Sequence, residues 1–302
     1  MPELPEVETT TVGLQKEITN LKILDVWTDL NTKDKRKLDT VSNAEYFLYF
    51  KNQIKNKKIL STKRRAKNIL INLSNDKTIL IHMKMTGHLL YGKYKFNKKE
   101  NKWKVDEEGA LNDPYNRFTH VVFSLSNKKC LVFSDARKFG KITLINSDKT
   151  EDSKHLKGVG PEPLDKIFTF KKFKERLTLK ADGKIKTVLM DQSVIAGIGN
   201  IYSDEILWHS DINPERKVYE IKEKEFIKMF NAMKTLLKKG IAFGGDSMSD
   251  YRNIYGLPGK FQLHHNVYRR AGEKCKKKNC KGIIMRKIVN GRSAHFCSVH
   301  QK

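Results

Sequence analysis

The sequence predicts a multidomain α+β protein, and three observations carry this prediction. Its 302 residues exceed the usual size of a single domain. Segments rich in β-branched and aromatic residues dominate up to residue 145, whereas helical patterns dominate from residue 159 to residue 244. Three of the four cysteines lie beyond residue 274 together with a histidine, a spacing typical of a metal-binding finger rather than a disulfide framework.

The first helix is predicted next to the N-terminus. Pro5 suits the first turn of a helix, and the acidic residues Glu6 and Glu8 favour its positive end. Apolar residues then recur near one face, at Val7, Leu14 and Ile18.

A β-sheet domain is predicted to follow this helix. Its strands are expected at residues 69–73, 78–82, 120–125, 130–133 and 142–145. Residues 93–116 are expected to form a long exposed insertion, to which the sequence assigns no role beyond extra positive charge. Cys130 is expected to be a buried core residue rather than a reactive thiol.

A polar, charged stretch at residues 146–158 separates the sheet region from the helical region. Within the helical region, a helix over residues 188–195, a glycine-bearing turn over 196–200 and a second helix over 201–208 are predicted. This order is helix, turn, helix.

The charge of the chain predicts a nucleic-acid partner. Sixty Lys and Arg residues against 34 Asp and Glu residues give a net charge of +26, which attracts polyanions over long distances. An acidic membrane surface is an alternative partner, but no apolar run of about 18 residues and no aromatic amphipathic anchor is visible. A basic protein without any nucleic-acid role is the other alternative.

The first twenty residues do not resemble a secretory signal, so a cytoplasmic, nucleoid-associated location is expected.

The C-terminal residues Cys275, Cys280, Cys297 and His300 form two close pairs, as a tetrahedral zinc site requires. All four ligand positions are filled, which predicts one structural Zn²⁺ without an open site for a catalytic water. Unmetallated thiols on a disordered tail are the alternative. Residues 274–302 contain nine Lys or Arg and no acidic residue, so this finger is expected to contact phosphates.

Pro2 is a candidate nucleophile. Proline is small enough for the initiator Met1 to be removed, which leaves a secondary amine at the N-terminus. An α-amino group titrates near pH ~7.8, against ~10.4 for lysine, so a larger fraction is unprotonated near neutrality. Attack on a sugar C1′ would give an iminium cation and allow β-elimination of the 3′ phosphate. Glu3 and Glu6 flank this amine and could transfer protons; ordinary helix capping is the alternative interpretation.

Seven segments of the sequence also resemble the motifs of a known family. They are MPELPEVETT, RRAK (64–67), HMKMTG (82–87), SDARKFG (134–140), VGPEPL, IKTVLMDQSVIAGIGNIYSDEIL and the terminal finger. In this order they resemble the formamidopyrimidine-DNA glycosylase family over nearly the whole chain. The resemblance implies four segments: an N-terminal catalytic β-sandwich with flanking helices (1–145), a linker (146–160), a helix-two-turn-helix DNA-binding domain with a lesion-covering loop (161–258), and a C-terminal β-hairpin zinc finger (259–302).

The resemblance also implies roles for individual residues. Pro2 matches the Schiff-base nucleophile, Glu3 the general acid and base, and Glu6 a supporting carboxylate. Lys67 matches a catalytic lysine that contacts phosphate, although a solvated basic turn is the simpler interpretation of RRAK on its own.

A second implied group contacts DNA. An enzyme that acts on a base must extrude it from the stack, and Met85, Arg137 and Phe139 match the family's side chains that fill the resulting void. Alternatively, Met85 could be an ordinary core residue and Phe139 an ordinary strand residue. The full predicted DNA-binding set is Met85, His120, Arg137, Phe139, Asn200 and Arg292.

The resemblance implies a bifunctional DNA glycosylase and AP lyase that removes oxidised purines, such as 8-oxoguanine and formamidopyrimidines, and cuts the strand by β,δ-elimination. Its expected partner is double-stranded DNA with oxidised bases or abasic sites, bound by a monomer. An endonuclease VIII-like enzyme for oxidised pyrimidines and a non-catalytic damaged-DNA-binding paralogue are the alternatives. The loop at 245–260 resembles the family's lid only loosely, so the choice of lesion is weakly encoded.

Overall fold

A computed structural model describes residues 1–248 and 250–302 of the chain. Residues 1–157 and 243–260 form one compact unit, and residues 158–242 and 261–302 form a second. The boundaries expected from the sequence divide the chain differently, because they place residues 243–258 in the helical domain. In the structure Asp246 and Tyr251 hydrogen-bond to the first helix, which explains why this segment groups with the N-terminal unit.

In its described residues, the N-terminal unit contains two α-helices and ten strands. Their bounds are α1 Leu4–Ile18, β1 Ile23–Thr28, α2 Ala44–Ile54, β2 Ile59–Arg65, β3 Asn68–Leu73, β4 Lys77–His82, β5 His88–Gly92, β6 Tyr94–Asn97, β7 Lys102–Val105, β8 Thr119–Leu125, β9 Cys130–Ser134 and β10 Lys141–Asn146. The five strands predicted from the sequence are β3, β4, β8, β9 and β10, each within one residue of its expected bounds.

Two antiparallel four-stranded sheets form the centre of this unit. Their strand orders are β1-β8-β9-β5 and β10-β4-β3-β2. One apolar core contains Val121 and Phe133 from the first sheet, Ile69 and Ile81 from the second, and Leu14 from α1. Because alternate side chains of a strand point to one face, this shared core identifies a β-sandwich flanked by a helix, as predicted.

The insertion at residues 93–116 is mostly exposed, as predicted, but it does more than add positive charge. It contains the β6–β7 hairpin, and Tyr94 and Leu111 are buried against Val122 and Val132 of the first sheet. Six lysines of the insertion are offset by five acidic residues, so its charge nearly cancels. The insertion therefore covers an apolar sheet face. Cys130 belongs to the same cluster and is buried, as expected.

The second unit contains four helices and a hairpin. Their bounds are α3 Phe170–Thr178, α4 Ile185–Met190, α5 Asn200–Ser210, α6 Glu223–Ala242, β11 Ile284–Val289 and β12 Arg292–Cys297. The predicted helix-turn-helix corresponds to α4 and α5, but α4 ends at Met190 rather than at residue 195. Asp191 explains this end, because its Oδ1 accepts the Ser193 N–H at 2.8 Å and forms a turn.

A buried ion pair connects α4, α5 and the hairpin of the second unit. Lys186 and Asp204 are both fully buried, with Lys186 Nζ 2.6 Å from Asp204 Oδ1. Asp204 Oδ2 accepts the His295 backbone N–H at 3.0 Å. Such a pair tolerates burial only when its hydrogen bonds are satisfied, so these three residues hold the hairpin against α5. Within the described ranges, no helix is both long and apolar enough to cross a bilayer.

Candidate functional site

Two buried carboxylates lie at the start of α1. Glu3 is 2% exposed and Glu6 is 1% exposed. The Glu3 backbone N–H donates to Glu6 Oε2 at 2.7 Å, one half of a capping box that explains why α1 begins here. Pro2 is also buried and directly precedes this pair, whereas Met1 is 42% exposed. The predicted nucleophile and both predicted carboxylates therefore lie at the N-terminus of one helix.

Glu6 also binds the segment at residues 243–260. The Asp246 N–H donates to Glu6 Oε1 at 2.7 Å, and the Tyr251 hydroxyl donates to the Glu6 carbonyl at 2.9 Å. Gly245 has φ +85°, and a Cβ there would lie 2.8 Å from Glu6 Cγ. Only glycine combines this positive φ with so close a contact between its backbone and Glu6. Sequence reasoning missed Asp246 and Tyr251; the Gly-Gly-Asp run at 244–246 was the available signal.

Burial raises the pKa of Glu6 from 4.5 to about 7, and the nearby charge of Glu3 adds to this effect. The backbone N–H donors of Asp246 and Glu3 oppose it, because they stabilise the ionised carboxylate. Glu6 is thus close to half-protonated near neutral pH, a state suited to a group that stores or transfers a proton.

Lys67 occupies a buried position at the turn between β2 and β3. It is 5% exposed and follows Ala66, whose φ of +53° marks a tight turn. Arg64 holds this turn, because its Nε lies 2.6 Å from Glu8 Oε2 of α1 and its Nη1 donates to the Ala66 carbonyl at 3.1 Å. The burial of Lys67 does not fit the alternative of a solvated basic turn.

Asp135 organises the loops that carry the three predicted void-filling residues. This fully buried carboxylate accepts a hydrogen bond from the Thr86 hydroxyl and another from the Gly140 N–H at 2.7 Å. The Arg137 N–H donates to both Thr86 Oγ1 at 3.1 Å and Asp135 Oδ1 at 3.2 Å. Asp135 therefore joins the loop that contains Met85 to the loop that contains Arg137. Asp135 lies within the SDARKFG segment, but the sequence predicted no role for it.

The predicted void-filling side chains are exposed. Met85 is 42% exposed and Phe139 is 46% exposed, and both lie outside the strands. The Arg137 guanidinium carbon lies 4.7 Å from the centre of the Phe139 ring. Neither the core methionine nor the strand phenylalanine of the alternative interpretation fits these positions.

His120 lies near the start of β8 and is 7% exposed. Its Nδ1 lies 2.8 Å from Asp29 Oδ1. In the part of the chain that the structure describes, its Nε2 has no hydrogen-bond partner. One ring nitrogen is thus oriented by a carboxylate and the other is available to a ligand.

Asn200 is the first residue of α5, directly after the glycine-bearing turn. Its backbone carbonyl accepts a hydrogen bond from Lys186 Nζ at 3.0 Å, which ties the start of α5 to the buried Lys186–Asp204 pair. Among the described residues its side-chain Oδ1 is buried without a partner. Backbone N–H groups at a helix start attract anions, so Asn200 lies at a suitable place for a phosphate. Sequence reasoning missed Lys186, whose signal is a lysine within the apolar pattern of α4.

The C-terminal cluster has the geometry of a metal site. One ligand atom from each of Cys275, Cys280, Cys297 and His300 lies within 4.8 Å of the others. The Cys280 and Cys297 sulfurs are 3.5 Å apart, and His300 Nδ1 is 3.5 Å from the Cys275 sulfur. Tetrahedral ligands at about 2.0–2.3 Å from a shared ion would lie roughly 3.5–3.8 Å apart.

The surroundings of this cluster also fit a metal. His300 Nε2 lies 3.3 Å from the Trp208 carbonyl, the outer contact by which proteins orient a ligating imidazole. Arg292 begins β12 and is exposed at the hairpin tip, opposite Val289. The structure thus places Arg292 on the arm between the two ligand pairs, as the sequence predicts.

Comparison with known proteins gives two family models that match this chain. The formamidopyrimidine-DNA glycosylase N-terminal domain matches residues 1–142, and the formamidopyrimidine-DNA glycosylase H2TH domain matches residues 159–252. Together they cover the β-sandwich up to the start of β10, helices α3 to α6 and the first part of the segment that binds Glu6.

Similar proteins match over the full length. Formamidopyrimidine-DNA glycosylases of Pelotomaculum thermopropionicum and Herpetosiphon aurantiacus are 38% and 37% identical, over 100% of this chain and 99% and 100% of their own lengths. The Lactococcus lactis enzyme, solved with abasic-site DNA, is 30% identical with a TM-score of 0.82 over 99% of both chains. A mutant of that enzyme, solved with Fapy-dG DNA, is 31% identical with a TM-score of 0.82 over 100% of both. The chain belongs to the formamidopyrimidine-DNA glycosylase family.

Proposed function

We propose that this protein is a bifunctional DNA glycosylase and AP lyase of base excision repair that removes oxidised purines from double-stranded DNA. The observation that carries the proposal is the buried Glu3–Glu6 pair directly behind Pro2, in a chain that matches the family from end to end. The abasic-site and Fapy-dG duplexes in the Lactococcus lactis complexes support the same substrate class. We expect the protein to act on this DNA as a monomer at the nucleoid.

The chemistry begins with the Pro2 nitrogen. Removal of Met1 converts this nitrogen from an amide, which is not nucleophilic, into a secondary amine. The amine attacks the sugar C1′, and the base leaves with the electrons of the glycosidic bond. Glu3 donates a proton to the opening sugar, and loss of the amine proton leaves an iminium between Pro2 and C1′.

The iminium then accepts electrons from the sugar carbon skeleton. Loss of a C2′ proton expels the 3′ phosphate, and a second elimination across the sugar expels the 5′ phosphate. Glu3 carries the protons, while Glu6, whose pKa lies at about 7, supplies a nearby group that can hold one near neutrality. Lys67 balances the charge of a phosphate beside the reacting sugar.

The remaining residues hold and bend the DNA. Met85 and Phe139 occupy the void left by the extruded base, and Arg137 bonds the unpaired partner base. Asn200, His120 and Arg292 contact backbone phosphates, which determine position rather than sequence. The Asp135 network supports this assignment, because it holds the Met85 and Arg137 loops together.

Zinc is the metal that the C-terminal cluster fits. Three thiolates and one imidazole are the ligands of a structural zinc, which supplies folding free energy rather than chemistry. Cys275, Cys280, Cys297 and His300 would hold the ion, and the ion would fix the hairpin that presents Arg292.

The function is tested with a duplex that contains 8-oxoguanine opposite cytosine. Protein that begins at Pro2 is expected to cut the lesion strand and to be trapped on it by borohydride. Protein with residues added before Met1 is expected to bind the duplex but to form no adduct, because its Pro2 nitrogen is an amide. Since Met1 is 42% exposed, the extension can project into solvent without disturbing α1.

Two controls accompany this comparison. Pro2→Gly keeps a free amine at the same position and is expected to retain measurable trapping. A duplex with an oxidised pyrimidine checks the substrate class, and the purine lesion is expected to react faster. An extended protein that still forms the adduct would show that Pro2 is not the nucleophile.

The raised pKa of Glu6 predicts a dependence of stability on pH. A carboxyl whose folded pKa lies above its ordinary value stabilises the fold below pH 4.5, and this contribution is lost as pH rises through about 7. The difference in unfolding free energy between wild type and Glu6→Gln should therefore fall by up to about 3 kcal/mol over this range. Urea denaturation at several pH values measures it. A difference that stays constant with pH would contradict the assignment.

Metal content tests the zinc proposal. Purified protein is expected to contain one zinc per chain, and prolonged chelation should remove both the zinc and the affinity for DNA. His300→Ala should lose metal, whereas His300→Cys should keep it, because it restores a fourth ligand. Metal-free protein that binds DNA like the metal-loaded form would overturn the proposed role.

A further inference from the structure

Lys84 lies in a backbone conformation that lysine rarely adopts. It belongs to the turn between β4 and β5, which is closed by a hydrogen bond from the Gly87 N–H to the Met83 carbonyl at 3.1 Å. Its φ of +56° lies in the left-handed region, where a side chain costs conformational free energy that glycine does not. Such a residue persists only where its surroundings or its function retain it.

The second sheet brings other cationic side chains to the same place. In the strand register, Lys141 of β10 and Asn68 of β3 lie on either side of His82, the last residue of β4. Lys67 directly precedes Asn68, and Lys84 follows His82 by two residues. The Lys84 N–H donates to His82 Nδ1 at 3.0 Å. Three lysines thus surround one histidine at this end of the sheet.

Among the described residues, two lysines of this cluster, Lys84 and Lys141, lack an acidic partner. Across the described ranges, neither Lys84 nor Lys141 forms an ion pair with a carboxylate. Burial and the nearby charge of Lys141 lower the pKa of Lys84, and burial and these lysines lower the pKa of His82 to about 3. His82 is therefore neutral, and the lysines repel one another until an anion arrives.

We infer that Lys84 and Lys141 form an additional phosphate-binding pair beside Met85, which grips the DNA backbone where the damaged base is extruded. This inference rests on the proposed function for the identity of the anion. A backbone phosphate supplies the missing negative charge and is bound by point-charge ammonium groups. Lys84 immediately precedes Met85, so a phosphate held there would lie next to the void-filling side chain.

Lys128 provides a matched control within the same unit. It is also a lysine in the left-handed region, with φ +65°. It lies in the hairpin turn between β8 and β9 and is exposed. The register of β5 and β9 pairs His88 with Ser134 and Gly92 with Cys130, so the Lys84 turn and the Lys128 turn lie at opposite ends of β9. Lys128→Gln removes the same charge at a distant place, and Lys128→Gly also removes the same strain.

The test compares Lys84→Gln, Lys141→Gln and Lys128→Gln for binding to a duplex that contains an uncleavable abasic-site analogue, over a range of salt concentrations. Each contact with a phosphate adds about one to the slope of log affinity against log salt. Lys84→Gln and Lys141→Gln should each reduce the slope by about one, whereas Lys128→Gln should leave it at the wild-type value. Equal slopes for the wild type, Lys84→Gln and Lys141→Gln would overturn the inference.

Glycine variants separate charge from strain. Lys84→Gly and Lys128→Gly should both raise the thermal midpoint, by about 2–4 °C if about 1 kcal/mol of strain is released. Only Lys84→Gly should also lose the salt-dependent contact. A Lys84→Gly variant with a wild-type slope would overturn the inference even if it is more stable.

Failure of this inference can be distinguished from failure of the proposed function. Wild-type cleavage of the 8-oxoguanine duplex tests the function and does not depend on the slopes. If the wild type cuts the lesion strand and all slopes are equal, the phosphate-binding pair is wrong and the function stands. If the wild type binds but does not cut, and the Lys84 and Lys141 slopes fall, the pair stands and the glycosylase proposal is wrong.

Discussion

The Glu6 carboxylate connects the two parts of the chain that the proposed chemistry needs. One oxygen accepts the Glu3 N–H at the start of α1, and the other accepts the Asp246 N–H of the segment at 243–260. Without Glu6, two buried backbone donors would lose their acceptor, at a cost of roughly 1–3 kcal/mol each. The same burial moves its pKa toward neutrality. One side chain therefore holds the N-terminus in place and gives it a proton-exchanging neighbour.

Other buried carboxylates also hold separate segments together by accepting their hydrogen bonds. Asp135 accepts backbone and hydroxyl donors from the loops around Met85 and Arg137. Glu205 of α5 is fully buried and accepts the backbone N–H groups of residues 266–268. Because backbone donors compensate the desolvation of these acids, few cations need to be buried beside them. In a chain of charge +26, this leaves most lysines and arginines at the surface, where phosphate can reach them.

The sequence predicted much of this arrangement. Runs rich in β-branched and aromatic residues predicted five of the eight strands in the two sheets, since such residues pack well on the half-buried surface of a sheet. The spacing of Cys275 to His300 predicted the metal cluster, because ligands close in sequence meet across a hairpin. The two carboxylates near Pro2 were visible as a helix start, and the family resemblance suggested their chemical role.

Other features depend on contacts between distant segments, which no local pattern encodes. The partnership of Glu6 with Asp246 spans 240 residues, and that of Asp204 with His295 spans 91. The insertion at 93–116 is mostly exposed, as predicted, but the burial of Tyr94 and Leu111 against an apolar sheet face was not visible in the sequence. The early end of α4 follows from an Asp191 side-chain turn that competes with the helix.

In the proposed mechanism, the Pro2 nitrogen forms the covalent bond to DNA. The most direct measurement is mass spectrometry of the trypsin-digested, borohydride-trapped complex with 8-oxoguanine DNA. We expect the sugar remnant to be attached to the N-terminal peptide that begins at Pro2 and ends at Lys16. A remnant attached to Lys67, or to any other lysine, would contradict it.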